Sequence, residues 1–329
     1  MTRAVRSATV ISDYRGLHVV KIRMGMNIRA LTKRSVALTC AYYLYDDWRA
    51  RQRLAAGQLT ADSGARHAKL DIAGSLAYVE RVYGDYLTYG GLKNFRGSVA
   101  EIGPGDSFAV ALRILSNGAD HVQTIDRWVS RRNAEAQRRI YSALSERYDL
   151  GHLFTGPPAE ETIRNLSYHA GQPAETFFRD CGLLFDAILS RAVMEHLYDP
   201  LAALDDMVRS LKPGGIMIHR IDLRDHGMFA GHHPLTLLTL SEGLHRRITA
   251  GAGRPNRVLA PAYRAWLAQS GLSGSITISR LAGINEEQDP APWEALDEGA
   301  KARALACVSA IRPRLSKQFK IIADEELAV

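Results

Sequence analysis

The first residues in this chain equipped for chemistry form the run Val99-Ala100-Glu101-Ile102-Gly103-Pro104-Gly105-Asp106-Ser107, an apolar strand that enters a glycine turn and then a helix. Glycine lets a ligand approach bare backbone, and a helix N-terminus offers N–H groups and partial positive charge to an anionic group. Twenty-one residues after Gly105, a second apolar run ends at Asp126, with Arg127 beside it. A carboxylate at that place accepts hydrogen bonds from ribose hydroxyls. The two together describe a nucleoside-binding crevice at the carboxyl ends of parallel strands, with a purely structural strand-turn-helix as the plainer alternative. A nicotinamide dinucleotide would use similar parts, but the third glycine of its G-x-G-x-x-G fingerprint is Phe108 here.

A second group could move a proton. Candidates are His196, and Asp222 and His226 within the run His219-Arg220-Ile221-Asp222-Leu223-Arg224-Asp225-His226. In an extended strand His219 and Ile221 share one face while Arg220 and Asp222 share the other, so these groups converge only if the chain turns. Asp222, Asp225, His226, His232 and His233 fit no standard zinc or calcium spacing, and no metal is assigned.

Short apolar strands alternating with amphipathic helices position these groups, the pattern of a parallel sheet with crossover helices. The expected strands are Val99 to Ile102, His121 to Ile125, Leu166 to His169, Phe185 to Leu189, Ile216 to Ile221 and Ser275 to Leu281. Helices are expected at Ser107 to Ser116, closed by Asn117 and Gly118, and at Pro200 to Leu211, closed before Pro213-Gly214-Gly215. Residues 1–92 read as an N-terminal helical cap, with helices from about Ile28 to Leu54 and from Ser75 to Leu87; residues 93–329 form the main domain. Residues 227–262 interrupt that domain beside the strand ends, a natural place for an acceptor pocket or lid, the alternative being a packing or dimerisation helix.

Three ordered segments resemble the class I S-adenosylmethionine-dependent methyltransferases. Glu101-Ile102-Gly103-Pro104-Gly105 looks like their E/D-x-G-x-G motif. Phe185-Asp186-Ala187-Ile188, followed by Glu195-His196, resembles their fourth-strand segment. Leu211-Lys212-Pro213-Gly214-Gly215 resembles the turn into the fifth strand. The resemblance covers roughly residues 75 to 282. It implies a doubly wound, mostly parallel α/β sheet, the Rossmann-like methyltransferase fold, with the helical cap and a helical insertion after strand five. It also implies that S-adenosyl-L-methionine is held by Glu101, Gly103, Pro104, Gly105, Asp126 and Arg127. Ala174 and Glu175 would lie at the adenine edge, although Gln172 replaces the usual acid there. Ser190 and Arg191 would lie near the transferred methyl group. The family closes its sheet with an antiparallel seventh strand; here either Lys317 to Ile322 serves or the edge is incomplete.

The implied activity is methyl transfer to a small-molecule acceptor at oxygen, in specialised metabolism or on a glycan. Transfer to nitrogen or carbon, an NAD-type dehydrogenase and a non-catalytic cofactor-binding subunit are the rivals. Nucleic acid is disfavoured as a partner: Ser190-Arg191-Ala192-Val193 stands where amine-methylating DNA enzymes carry an acidic or Asn-Pro-Pro-aromatic tetrad, and no Pro-Cys nucleophile occurs.

Composition sets outer bounds. Hydrophobic content of 46% with 23% charged residues suits a globular protein. Three dispersed cysteines and no apolar leader-like segment point to a cytoplasmic chain. The net charge of +7 suits an anionic partner or a solvated surface. A basic, aromatic-rich first helix (Arg29, Lys33, Arg34, Tyr42, Tyr43, Tyr45, Trp48) suits packing on the main domain before a membrane surface, and a homodimer is compatible with it.

Overall fold

The computed structural model describes residues 35–61 and 64–329; the first seven residues of the expected helix Ile28 to Leu54 lie outside them. Within that range the chain runs α1 (Val36–Ala55), β1 (Thr60–Ala61), α2 (Ile72–Gly90), β2 (Gly97–Ile102), α3 (Ala109–Ser116), β3 (Ala119–Asp126), β4 (Val129–Ser130) and α4 (Ala134–Tyr148). It continues through β5 (Leu166–Ala170), α5 (Ala174–Asp180), β6 (Phe185–Arg191), α6 (Pro200–Arg209), β7 (Leu211–Arg220), α7 (Glu242–Thr249), α8 (Ala260–Gln269) and α9 (Glu298–Ile311).

Five strands form the main sheet in the order β5-β3-β2-β6-β7, all parallel. Strand order reverses between β2 and β6, so their carboxyl ends open a crevice at the switch point. The alternation of side chains fills both faces. Val99 joins a core with Val82, Tyr86, Leu112 and Tyr141 from α2, α3 and α4. Ala100 and Ile102 join the opposite core with Phe177, Leu204 and Met207 from α5 and α6. Helices on both faces of a parallel sheet are the doubly wound arrangement.

Local chemistry explains the boundaries. Asp199 caps α6 by accepting from Ala202 N at 3.1 Å, with Pro200 in the first turn. The helix ends at Arg209 rather than Leu211, because Leu211 already pairs with Phe185 in the sheet. Asp186 of the F-D-x-I segment is a staple: its carboxylate accepts from Ser98 N at 2.7 Å and Lys212 Nζ at 2.6 Å, tying the starts of β2, β6 and β7 together.

Two expected edge strands are absent among the described residues. Ser275 to Leu281 makes a single antiparallel bridge, Ile278 to Ala291, and its buried Ile278 and Leu281 pack with Ala304 and Val308 of α9. Its alternating pattern is satisfied by that helical layer, not by the sheet. Lys317 to Ile322 is a turn in which Phe319 is buried in the same layer and Ile321 is exposed, so β7 has no antiparallel neighbour there.

Residues 227–262 hold a short 3-10 turn, Thr236–Thr239, and α7. They pack on α1: Met228, Phe229 and Ile248 enclose Cys40, while buried Asp47 accepts from Gly251 N and Ala252 N at 2.7 and 2.9 Å. No helix of the described residues is long and apolar enough to cross a membrane.

Candidate active site

The turn after β2 needs its glycines. Gly103 has φ +75° and Gly105 φ +69°; a Cβ on the first would lie 2.5 Å from Val193 Cγ2, and on the second 2.7 Å from Gly64 O. Pro104 links them. Asp106, next along, accepts from the amides of Arg66, His67 and Ala68 at 2.8 to 3.1 Å and so ties the segment before α2 to this turn.

Three amides of this turn are already engaged. Phe108 N donates to Tyr141 Oη at 3.1 Å, Ala109 N to Ser107 Oγ at 3.3 Å, and Gly103 N to Ile125 O at 2.8 Å. Phe108, 1% exposed, packs edge-on against Tyr168 where a dinucleotide fold has its third glycine. The amides of Gly103, Phe108 and Ala109 are therefore not offered to a pyrophosphate. An adenosyl sulfonium compound, which has no phosphate, does not require them.

Two carboxylates flank the turn. Glu101 is buried, its Oε2 has no hydrogen-bond partner, and burial pushes its pKa up to about 8. Asp126 closes β3; burial raises its pKa to about 7, against the opposing effects of the Trp128 amide and Arg132. Buried or half-buried acids lacking strong partners are sites for donors that arrive with a ligand: an ammonium at buried Glu101 and ribose hydroxyls at half-buried Asp126 fit.

The other residues implied by the resemblance are placed as follows. Arg127 stacks over the Tyr198 ring at 4.0 Å and donates to Tyr198 Oη at 2.6 Å. Glu175 accepts from Tyr198 N at 3.0 Å, and its neighbour Ala174 is buried beneath it. Ser190, wholly buried, shares a 2.8 Å hydrogen bond with His219 across β6 and β7. Burial depresses His219 to about 4, so it stays neutral. Arg191 pairs with Asp85, which also receives Arg220 Nη1 at 3.0 Å.

Beyond β6 the chain makes a 3-10 turn, Met194–His196. The turn places Glu195, His196 and His226 with ligand atoms within 4.8 Å of one another. His196 Nδ1 donates to Gly253 O at 2.9 Å, fixing the inserted segment to this loop, and burial lowers the pKa of its ring. The His196 and His226 rings meet edge-on at 4.8 Å. His226 Nε2 stands 3.3 Å from Glu195 Oε1 and 3.8 Å from Asp222 Oδ2. Burial alone would pull His226 down; the carboxylates of Glu195 and Asp222 more than offset it and raise its pKa. Asp222 is itself pushed up by burial, but Arg224, at 2.5 to 2.7 Å, and the His226 charge hold it below the usual carboxylate range.

Ala192 (φ +54°) and His226 (φ +51°) adopt left-handed backbone unusual for side chains with a Cβ, and both border this cluster. The turn that the alternation of β7 demanded is therefore present, at His226. The wider acidic and histidine set does not converge. Asp225 caps the amides of Gly227 and Phe229, and His233 Nε2 bonds Cys307 O at 2.9 Å. Glu195, 1% exposed with neither oxygen in a well-formed hydrogen bond, is the member that sequence reasoning missed. So is Asn256, whose side chain donates to Met194 O and Leu197 O at 3.0 Å while its amide donates to Glu195 O at 2.6 Å. The signal for Glu195 was its place beside His196; nothing local marks Asn256. The three donors at Glu195, His196 and His226 also form a set that a divalent cation could use.

A family model described as a methyltransferase domain matches residues 76–288, most of the chain. A ubiquinone biosynthesis O-methyltransferase from Parvibaculum lavamentivorans is 32% identical over 74 residues, which is 20% of this chain; the chain spans 29% of that relative's length. Among solved structures, an arsenic(III) S-adenosylmethionine methyltransferase from Chlamydomonas reinhardtii is 18% identical, with 63% of this chain and 66% of that one covered at a TM-score of 0.36. The DszA carbon methyltransferase is 15% identical, with 74% and 62% covered at a TM-score of 0.35. With the family match spanning the glycine turn, both acids and the Glu195-His196 loop, this chain belongs to the class I S-adenosylmethionine-dependent methyltransferases.

Proposed function

We propose that the protein transfers a methyl group from S-adenosylmethionine to an oxygen of a small-molecule acceptor, with His226 as the base. The observation that carries this reading is the position of His226: its ring nitrogen faces two carboxylates in a loop after β7, the strand that pairs with β6. The sulfonium supplies an already activated methyl group, so the protein's work is alignment and, for a hydroxyl acceptor, proton removal.

In this reading Glu101 holds the methionine ammonium, Asp126 the ribose hydroxyls, and Gly103 and Gly105 permit the close approach. Pro104, Arg127, Ala174 and Glu175 line the adenosine side; Ser190 and Arg191 shape the floor nearer the acceptor. His226 takes the acceptor proton as the oxygen bonds to the methyl carbon and the carbon–sulfur bond breaks. Glu195 and Asp222 stabilise the resulting imidazolium, and His196 fixes the loop through Gly253. The short match to an O-methyltransferase agrees with oxygen as the acceptor atom.

The test is a panel of phenols, alcohols, amines and carbon acids offered with methyl-labelled S-adenosylmethionine. Label transferred to a hydroxyl compound, and lost in His226→Asn, supports the proposal. Transfer to amines or carbon acids alone refutes the oxygen assignment, and activity that vanishes on chelation would reassign the cluster from base to cation site.

A further inference from the structure

The chain's excess charge is unevenly placed. Residues 1–34 contain eight of its Lys and Arg side chains and one acid, Asp13, so this stretch carries the whole formal charge of +7 and the remaining residues balance to zero. A charge so concentrated is a local electrostatic feature, not a general property of the surface.

The segment leads directly into α1. One face of that helix is fixed to the body of the protein, with Cys40 packed among Met228, Phe229 and Ile248, and Asp47 holding the Gly251 and Ala252 amides. The helix therefore cannot roll its outer face inward. That face carries Leu38, Tyr45 and Trp48 at helical spacing, 48%, 56% and 55% exposed, with Leu44 beside them. The Tyr45 and Trp48 rings stack at 6.0 Å, and exposed Arg49 and Arg53 flank them. Large aromatics beside arginines, next to a concentrated positive charge, match the chemistry of a bilayer interface. The rings suit the headgroup boundary and the cations suit anionic lipid.

We propose that the outward face of α1 binds the surface of a membrane containing anionic phospholipid. Charge complementarity selects this occupant over a neutral protein groove, and the exposed apolar ladder selects it over nucleic acid, whose backbone offers nothing to Leu38 and Leu44. The contact is peripheral. It stands independently of the methyl acceptor, because none of these residues belongs to the catalytic cluster.

The experiment is co-sedimentation of the full chain with vesicles of phosphatidylcholine alone and of phosphatidylcholine mixed with phosphatidylglycerol, at low and high salt. Binding is expected to the mixed vesicles only and to weaken as salt rises. Arg49→Gln/Arg53→Gln should weaken it by about fivefold per charge removed. Tyr45→Ser/Trp48→Ser should weaken it by about tenfold or more, with S-adenosylmethionine affinity and melting temperature unchanged because both side chains face outward. Equal binding to both vesicle types, no binding to either, or retention on duplex DNA that outcompetes the mixed vesicles and survives Tyr45→Ser/Trp48→Ser would each overturn the proposal.

Discussion

The two sides of the crevice are built differently. On the side proposed for the cofactor, Glu101, Gly103, Gly105 and Asp126 lie on or just beyond the ends of two neighbouring strands whose register, Ile102 against Ile125, sets their spacing. On the side proposed for the acceptor, Glu195, Asp222, His226 and Asn256 arrive from three separate loops. They are held together by Asn256 on the Met194–Leu197 loop and by His196 on Gly253. The first side is positioned by the sheet and should survive changes in the insertion. The second depends on that insertion, so specificity can change there without disturbing the cofactor.

Substitutions on the two sides should therefore separate cleanly. The largest expected effect is on the acceptor side: His226→Asn should lower kcat/KM by about 100- to 10,000-fold while leaving S-adenosylmethionine affinity unchanged. Since Glu195 and Asp222 raise His226, wild-type kcat/KM should climb with pH to a midpoint above the ordinary imidazole value of 6.5, and the variant should lose that limb. A parallel loss of cofactor affinity would erase the distinction between the sides. Next, Asp126→Ala should weaken cofactor binding by about 1 to 3 kcal/mol in calorimetry, with the acceptor KM unaffected.

The pH dependence of cofactor binding sharpens the comparison further. Asp126 in the free protein titrates near pH 7, and hydroxyl donors favour its charged form. Affinity should therefore fall by about tenfold per unit as pH drops below about 7, and Asp126→Asn should flatten that slope. The smallest effect concerns stability. Glu101 in the folded chain is raised from 4.5 to about 8, so its contribution is fully present below pH 4.5 and is lost as pH rises toward 8. Without cofactor, Glu101→Gln should narrow the fall in melting temperature between pH 5 and pH 8; an unchanged fall would place the charge elsewhere.

This asymmetry also explains what could be read from the residues in order. The central strands β2 and β6 were legible because parallel strands buried on both faces read as mainly apolar runs, the flanking strands by shorter apolar patterns, and Gly103 to Gly105 because a turn with positive φ writes itself as glycine. Ser275 to Leu281 misled because period-two alternation describes any half-buried extended segment, whether it meets a sheet or α9. His226 stood out by type, but its partner Glu195 and the left-handed turn that joins them depend on contacts across 31 positions of sequence. Asn256 serves by closing a loop some 60 positions away, as its contacts to Met194 and Leu197 show, and no local pattern encodes that.

The measurement closest to the central claim is calorimetric titration of the purified chain, at pH 8, with S-adenosylmethionine and with NAD in separate runs. The acids Glu101 and Asp126, with buried Phe108 in the place of a dinucleotide fold's third glycine, predict one site for the sulfonium compound, weakened by Asp126→Ala, and no heat from NAD. Saturable binding of NAD with none of S-adenosylmethionine would contradict it.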